Sequence, residues 1–436
     1  MKKKSILFIC LVACLVFVLL LSGCAGNKAG SNNAGNNDSN SSSGEDNDSG
    51  DKKPLPEKDK IVIGGARSLS GPLAIQDQSC FGPVYRMWVD EVNARGGIYV
   101  KEYDKKLPVE LKIYDDTSDP NTMINLLKKL MVEDKVDLLL APISTGFLHA
   151  AAPIANDHGY LLIGAEGGAK ELEPMMASLP YFFSLLNYAT HQAQPFVDMI
   201  AEAGIKTAGV IFIADQHGVE YSGALVPLLE MAGIRVEFSR SIPLGVQDVS
   251  ALIEEAKAKN VEALLCCAYP DENFKVMGQC MESDYNPKVI IFGPGICLEV
   301  FHDIFGPATE GVMGWGAWNE KSSPDMADLA KRLIEHQGGV RNVDWWGQAI
   351  YYSGLQIIEQ AIERAGTLDN SVLKDVIATE TFDTVMGKVW FENGGIPAEC
   401  YPGQVGQWQD GIFEVVAPSE KATAKPLIPK PAWPAQ

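Results

Sequence analysis

The side chains that could do chemistry are few and scattered. Asp115 and Asp116 form an acid pair at the end of a strand-like run, "VELKIYDD". Neighbouring side chains on extended backbone point to opposite faces. The pair therefore suits a strand-end turn or cap better than the facing carboxylates of a hydrolase. The histidines are His149, His158, His191, His217, His302 and His336. They show no convincing metal-ligand spacing, although His149 is placed to face a cleft. There is no G-x-S-x-G elbow, no H-E-x-x-H and no G-K-[ST] phosphate loop. "GGARSLSG" at 64–71 is glycine-rich beside a strand but lacks the dinucleotide spacing, and "FGPGICLE" at 292–299 holds only G-x-G. These residues argue against an enzyme, and no metal or cofactor is expected.

Nine cysteines are present. Cys10 and Cys14 fall in an apolar N-terminal run, and Cys80, Cys266, Cys267, Cys280, Cys297 and Cys400 are spread through the body. This is not the dense framework of a disulfide-stapled scaffold. Cys266 and Cys267 lie inside an apolar run and read as small core residues. One or two disulfides stay open, with no pairing assigned.

The elements that must position such residues alternate. Strand-like runs "IVIGGA", "VELKIYDD", "VDLLLAP" and "YLLIGAE" are separated by helical periodicity up to about residue 184. The rhythm then restarts with "TAGVIFIAD", "RVEFSRSI", "VEALLCCAYP" and "PKVIIFGPG". Nearly continuous apolar strands want helices on both sheet faces, and right-handed crossovers make each array a parallel sheet. The expected fold class is α/β, two lobes, each a parallel sheet flanked by helices, with a cleft between them. Long helices over 326–336 and 345–364, then "KVWFE" and "GIFEVVA", return to complete both lobes. Strand C-terminal ends and helix N-termini point into such a cleft and favour anionic groups there.

The chain opens on Lys2, Lys3 and Lys4, then an uninterrupted apolar run over 6–21 that ends in Leu21-Ser22-Gly23-Cys24. The run reads as a secretion signal. Small residues ahead of a cysteine at its end resemble the bacterial lipoprotein signal. That resemblance implies a signal peptide over 1–23 and a lipidated Cys24, anchored through more than one acyl chain. Residues 25–60 hold almost nothing to bury and read as a flexible leash. The formal charge is −20, and loss of the three signal lysines takes it to −23. Such a surface excludes nucleic acid as a partner.

A tethered, two-lobed secreted body with no catalyst is similar to the solute-binding lipoproteins of ABC transporters, and more closely to the branched-chain amino acid (Leu/Ile/Val) binding family of the periplasmic binding protein type I fold. "SLSGP", "VDEVNARGGI", "KIYDDTSDP" and "DTVMGKVWFENGG" carry the resemblance by their order and spacing, over about 61–416. It implies a three-crossing hinge near 183–186, 312–316 and 383–387. The first lobe would be 61–184 plus 313–383 and the second 185–312 plus 384–425, with a proline-rich tail at 426–436. It also implies reversible capture of a small solute and delivery to ABC permease subunits by a monomeric body. The envelope site would be the outer face of the cytoplasmic membrane in a Gram-positive cell, or a periplasm-facing membrane in a Gram-negative one. A sensory protein signalling through a separate receptor is the alternative role.

Carried over residue by residue, the family's carboxylate seat falls on "APISTGF": Ser144, Thr145, Gly146 and Phe147. Gly168 stands where relatives place a threonine, with Glu166 nearby. Val219 stands at the place of a tyrosine, with Tyr221 two residues on. Tyr269 in "CCAYP" matches a family aromatic, and Gly295 replaces the acid that pairs with an α-ammonium group. Phe147, Tyr269 and Trp315 are expected to line an apolar cleft. The expected ligand is a small carboxylate, aromatic or apolar. A branched-chain or other amino acid is the alternative, with Glu166 or Asp271 supplying the missing acid.

Overall fold

The strand Ile61–Arg67 is buried on both faces along nearly its whole length, which its apolar run "IVIGGA" requires. In the computed structural model it pairs in parallel with Val109–Asp115 on one side and Leu138–Leu139 on the other. The structure describes residues 55–167, 172–186 and 189–434. The signal segment, Cys24, most of the leash and Gly168 lie outside the described residues. A further parallel pair, Leu162–Gly164 with Phe182–Ser184, continues this first lobe. Helices Gly82–Ala94, Pro120–Val132 and Thr145–Asp157 connect its strands. Helix Pro120–Val132 begins where expected, with Asp119 accepting from the Thr122 N–H and proline in the first turn. Asp115 and Asp116 take up the backbone N–H and hydroxyl groups of Leu69, Ser70, Ser68 and Ser118, the work of a strand-end turn.

The second lobe holds a seven-stranded sheet in the order Ile412–Ala417, Val405–Gln409, Met313–Trp315, Val289–Phe292, Ala263–Cys267, Thr207–Ile213, Arg235–Ile242. The last five run parallel, and an antiparallel hairpin closes one edge. Periodicity missed the hairpin's first strand, because "VGQWQ" mixes glycine and glutamine with its two apolar residues. Its Trp408 is sealed in the core with the indole N–H on the Ile296 carbonyl.

The chain enters the second lobe after Ser184 and leaves it after Trp315, the end of a strand of the larger sheet. It then runs back as helices Pro324–His336 and Gly347–Ala365, which pack on Gly82–Ala94 of the first lobe. The last return lies beyond 383–387. Residues 382–389 form a hairpin held to helix Gly347–Ala365, with Gln360 donating to the Asp383 carbonyl at 2.8 Å and the Val385 N–H donating to Gln356 at 2.9 Å. The tail lies along the second lobe: Lys430 N–H donates to the Lys288 carbonyl and the Trp433 indole to the Tyr285 carbonyl.

No helix among the described residues is long and apolar enough to cross a membrane.

Candidate ligand site between the lobes

Helix Thr145–Asp157 starts at the C-terminal edge of the first sheet. Ser144 caps it, its Oγ accepting from the Phe147 N–H at 3.3 Å. Thr145 donates to the Glu166 carbonyl at 3.3 Å. Gly146 has open space where a Cβ would stand. Ser144 and Thr145 face a narrow cavity of about 10 Å³ whose wall on this side also includes Gln76, Phe81 and Leu186. Trp346, delivered by the returning segment, forms another part of the wall. Gln76 reaches the cavity from the short helix Ala74–Gln76, and Phe81 from the π-helical turn Asp77–Phe81 that follows it, just before helix Gly82–Ala94.

Behind the first wall stands a buried charge network. Arg67 donates from Nε to Asp77 at 3.0 Å and from Nη1 to Glu166 at 3.2 Å. The same Nη1 reaches the Ala141 carbonyl and the Tyr351 hydroxyl. The rings of Phe81, Tyr85 and Tyr351 surround the guanidinium at 5.3–5.7 Å. Burial works against the Arg67 charge, but Tyr351, Asp77 and Glu166 more than offset it. Burial pushes Glu166 up to about 7 from 4.5, with Arg67 and the Ala165 N–H pulling the other way. The folded protein therefore holds a proton on Glu166 through a pH range where the unfolded chain has lost it. Stability from this group is greatest below about 4.5 and falls as pH rises through about 7. Wild-type melting temperature should fall between pH 5 and pH 8, and fall less in Glu166→Gln. Equal slopes in the two proteins would refute this.

The second wall comes from strand ends of the larger sheet. Tyr269 donates to Asp215 at 2.7 Å, and Asp215 caps helix Gln216–Met231 by accepting from the Gly218 N–H. The Ser144 side chain meets the Tyr269 phenol across the cleft. His217 stacks on Tyr269 at 5.1 Å with the planes 19° apart. Burial pushes its imidazole down to about 4, so it is neutral near pH 7. Tyr221 donates to Gln192 at 2.6 Å.

The cavity thus gathers Ser144, Thr145, Glu166, Tyr221 and Tyr269, with Gly146 on open space beside them. Other expected residues sit elsewhere. Phe147 contributes its N–H to the cap while its ring packs in the core. Trp315 lies one layer behind, against Tyr221 and Phe196. Val219 is 56% exposed, because the helix start turns it outward. Gly295 has φ +101°, and a Cβ there would stand 2.7 Å from Pro270; the backbone requires the glycine, and Pro294 meets the cavity instead. Asp271 is exposed on helix Pro270–Glu282.

Gln76, Phe81, Leu186, His217 and Pro294 were not singled out as ligand residues. His217 was within reach of topology, two residues past the Asp215 that follows a strand end. Gln76 and Phe81 were not, since a three-residue helix followed by a π-helical turn sets neither a helical nor a strand period. Among the described residues no group of three His, Cys, Asp or Glu is placed to hold a metal ion.

The chain is 25% identical over 342 residues to a leucine-, isoleucine-, valine-, threonine- and alanine-binding protein of Pseudomonas aeruginosa, covering 77% of this chain and 87% of that one. It is also 25% identical to the leucine-specific-binding protein of Salmonella typhimurium, over 84% of this chain and 93% of the relative. Among solved structures, a solute-binding protein of an ABC transporter from Rhodopseudomonas palustris in complex with 3,4-dihydroxybenzoic acid superposes with TM-score 0.71 at 16% identity, over 82% of this chain and 95% of that one. A branched-chain amino acid transporter substrate-binding protein from Streptococcus pneumoniae in complex with isoleucine gives TM-score 0.70 at 20% identity, over 82% and 100%. These structures share the two-lobed fold. The family model described as periplasmic binding protein matches residues 60–411, most of the chain, and the chain belongs to that family.

Proposed function

We propose that this protein is the extracytoplasmic solute-binding component of an ABC importer. It captures a small carboxylate-bearing solute by closing its lobes and hands it to membrane permease subunits. The observation that carries this reading is the capped start of helix Thr145–Asp157, which faces Tyr269 of the opposite lobe across an enclosed cavity. A carboxylate at that helix start meets the positive end of the helix and the two hydroxyls. Phe81 and Trp346 on one side, with the stacked His217–Tyr269 pair on the other, suit a flat or aliphatic body. The relatives and neighbours support this size and charge, since those named bind amino acids or an aromatic acid.

An amino acid is the second reading, favoured by Glu166. It belongs to the cavity wall, and Asp215 lies behind Tyr269. An ammonium group would find acids on both walls. The leash and lipidated Cys24 would hold the body at the membrane surface.

Native mass spectrometry of the protein released from cells without refolding should find a retained small carboxylate. Thr145→Val and Tyr269→Phe should each weaken its binding about tenfold, the worth of one hydrogen bond to a charged group. Unchanged affinity in both would overturn the carboxylate seat.

A further inference from the structure

The polar side chains that line the cavity are not equally engaged. Ser144 is held by the Phe147 N–H, Thr145 by the Glu166 carbonyl, and Glu166 by Arg67 and the Ala165 N–H. Tyr221 is spent on Gln192 and Tyr269 on Asp215. Two remain. Gln76, 7% exposed, has no partner for its amide Nε2; His217, 5% exposed, has none for its ring Nε2. They belong to opposite lobes, Gln76 to the turn after strand Ile61–Arg67 and His217 to the start of helix Gln216–Met231. Both residues line the same cavity, and both atoms are buried. Leaving such atoms unpaired is costly.

We propose that the captured solute carries a hydroxyl besides its carboxylate, and that Gln76 from one lobe and His217 from the other bond it. This rests on the solute-capture reading above. A hydroxyl both accepts and donates. It takes the Gln76 amide N–H and gives its own proton to the imidazole nitrogen. A methyl or a bare ring edge at that place leaves both side chains unpaired. The burial that keeps His217 neutral preserves the acceptor this scheme needs. The solute class is therefore hydroxylated carboxylates, whether hydroxybenzoates or hydroxyl-bearing amino acids, in preference to branched aliphatic ones. A site built to bond a hydroxyl rejects the analogue that lacks it more strongly than an apolar pocket separates two sizes.

The test uses matched pairs: 4-hydroxybenzoate with benzoate, threonine with valine, tyrosine with phenylalanine. Each is titrated calorimetrically into the full chain. In at least one pair the hydroxylated member should bind at least about tenfold tighter, the worth of one buried hydrogen bond. Gln76→Leu and His217→Phe should each reduce that ratio to below about threefold. Gln76→Met serves as a second variant, and thermal melts of all three check folding. Binding of benzoate, valine or phenylalanine with no hydroxyl preference overturns this inference and leaves solute capture standing. So does a preference that survives both substitutions. Absence of binding by every probe, with no retained carboxylate in the purified protein, overturns both readings.

Discussion

Arg67→Met should lower stability by about 3–5 kcal/mol, the usual cost of removing one partner from a buried ion network. The guanidinium is sealed from solvent and serves Asp77, Glu166, the Ala141 carbonyl and Tyr351 at once. Methionine fills much of the space but leaves Glu166 without its cation and Asp77 with only the half-exposed Arg86 at 3.7 Å. The melting temperature should fall by on the order of 5 °C. The loss should shrink at low pH, because protonating Glu166 removes one of the stranded charges. Arg67→Met combined with Asp77→Asn and Glu166→Gln should recover more than half of it, since an apolar or neutral replacement of the whole network is far less costly than breaking it. A single mutant melting within about 2 °C of wild type would sink this account. Solute affinity should fall with stability, because Glu166 is part of the cavity wall.

Gly316→Ala should have the largest effect on binding. Gly316 lies just past the strand Met313–Trp315, where the chain leaves the second lobe, and it holds φ +63°. A Cβ there overlaps the Trp346 indole and stands 2.7 Å from the Tyr401 hydroxyl. Trp346 must leave its place on the cavity wall, or the crossing must shift. Overpacking together with a left-handed alanine should cost on the order of 3 kcal/mol. The affinity of the retained solute should drop by a hundredfold or so, that cost expressed as a binding ratio. Trp346→Ala added to Gly316→Ala should restore stability while leaving binding weak. A double mutant no more stable than Gly316→Ala would place the clash elsewhere.

The lobes were legible because their strands are continuous apolar runs such as Val289–Phe292, and helices between them keep a 3.6-residue period. The hairpin strand Val405–Gln409 was not, because its glycine and glutamines match neither template. Within the site, Ser144, Thr145 and Tyr269 were placed by the family resemblance, and all three line the cavity. Gly295 misled: its identity answers a backbone demand set by Pro270, not a change of ligand chemistry. Val219 misled in register, since the first turn of a helix swings neighbouring residues to opposite sides. Arg67 could not be anticipated at all. A lone arginine at the end of "IVIGGAR" gives no sign that Asp77, Glu166 and Tyr351, up to 284 residues away, converge on it.

Trp346 touches both the crossing at Gly316 and the space where solute sits. Of the eight tryptophans, Trp88 and Trp408 are sealed in the interiors of the two lobes, away from that space. Their ultraviolet emission forms a constant background. That of Trp346, which lines the cavity, shifts with whatever occupies it. Occupancy is thus written into the intrinsic fluorescence of the chain, and uptake can be timed on a stopped-flow instrument without attaching a dye.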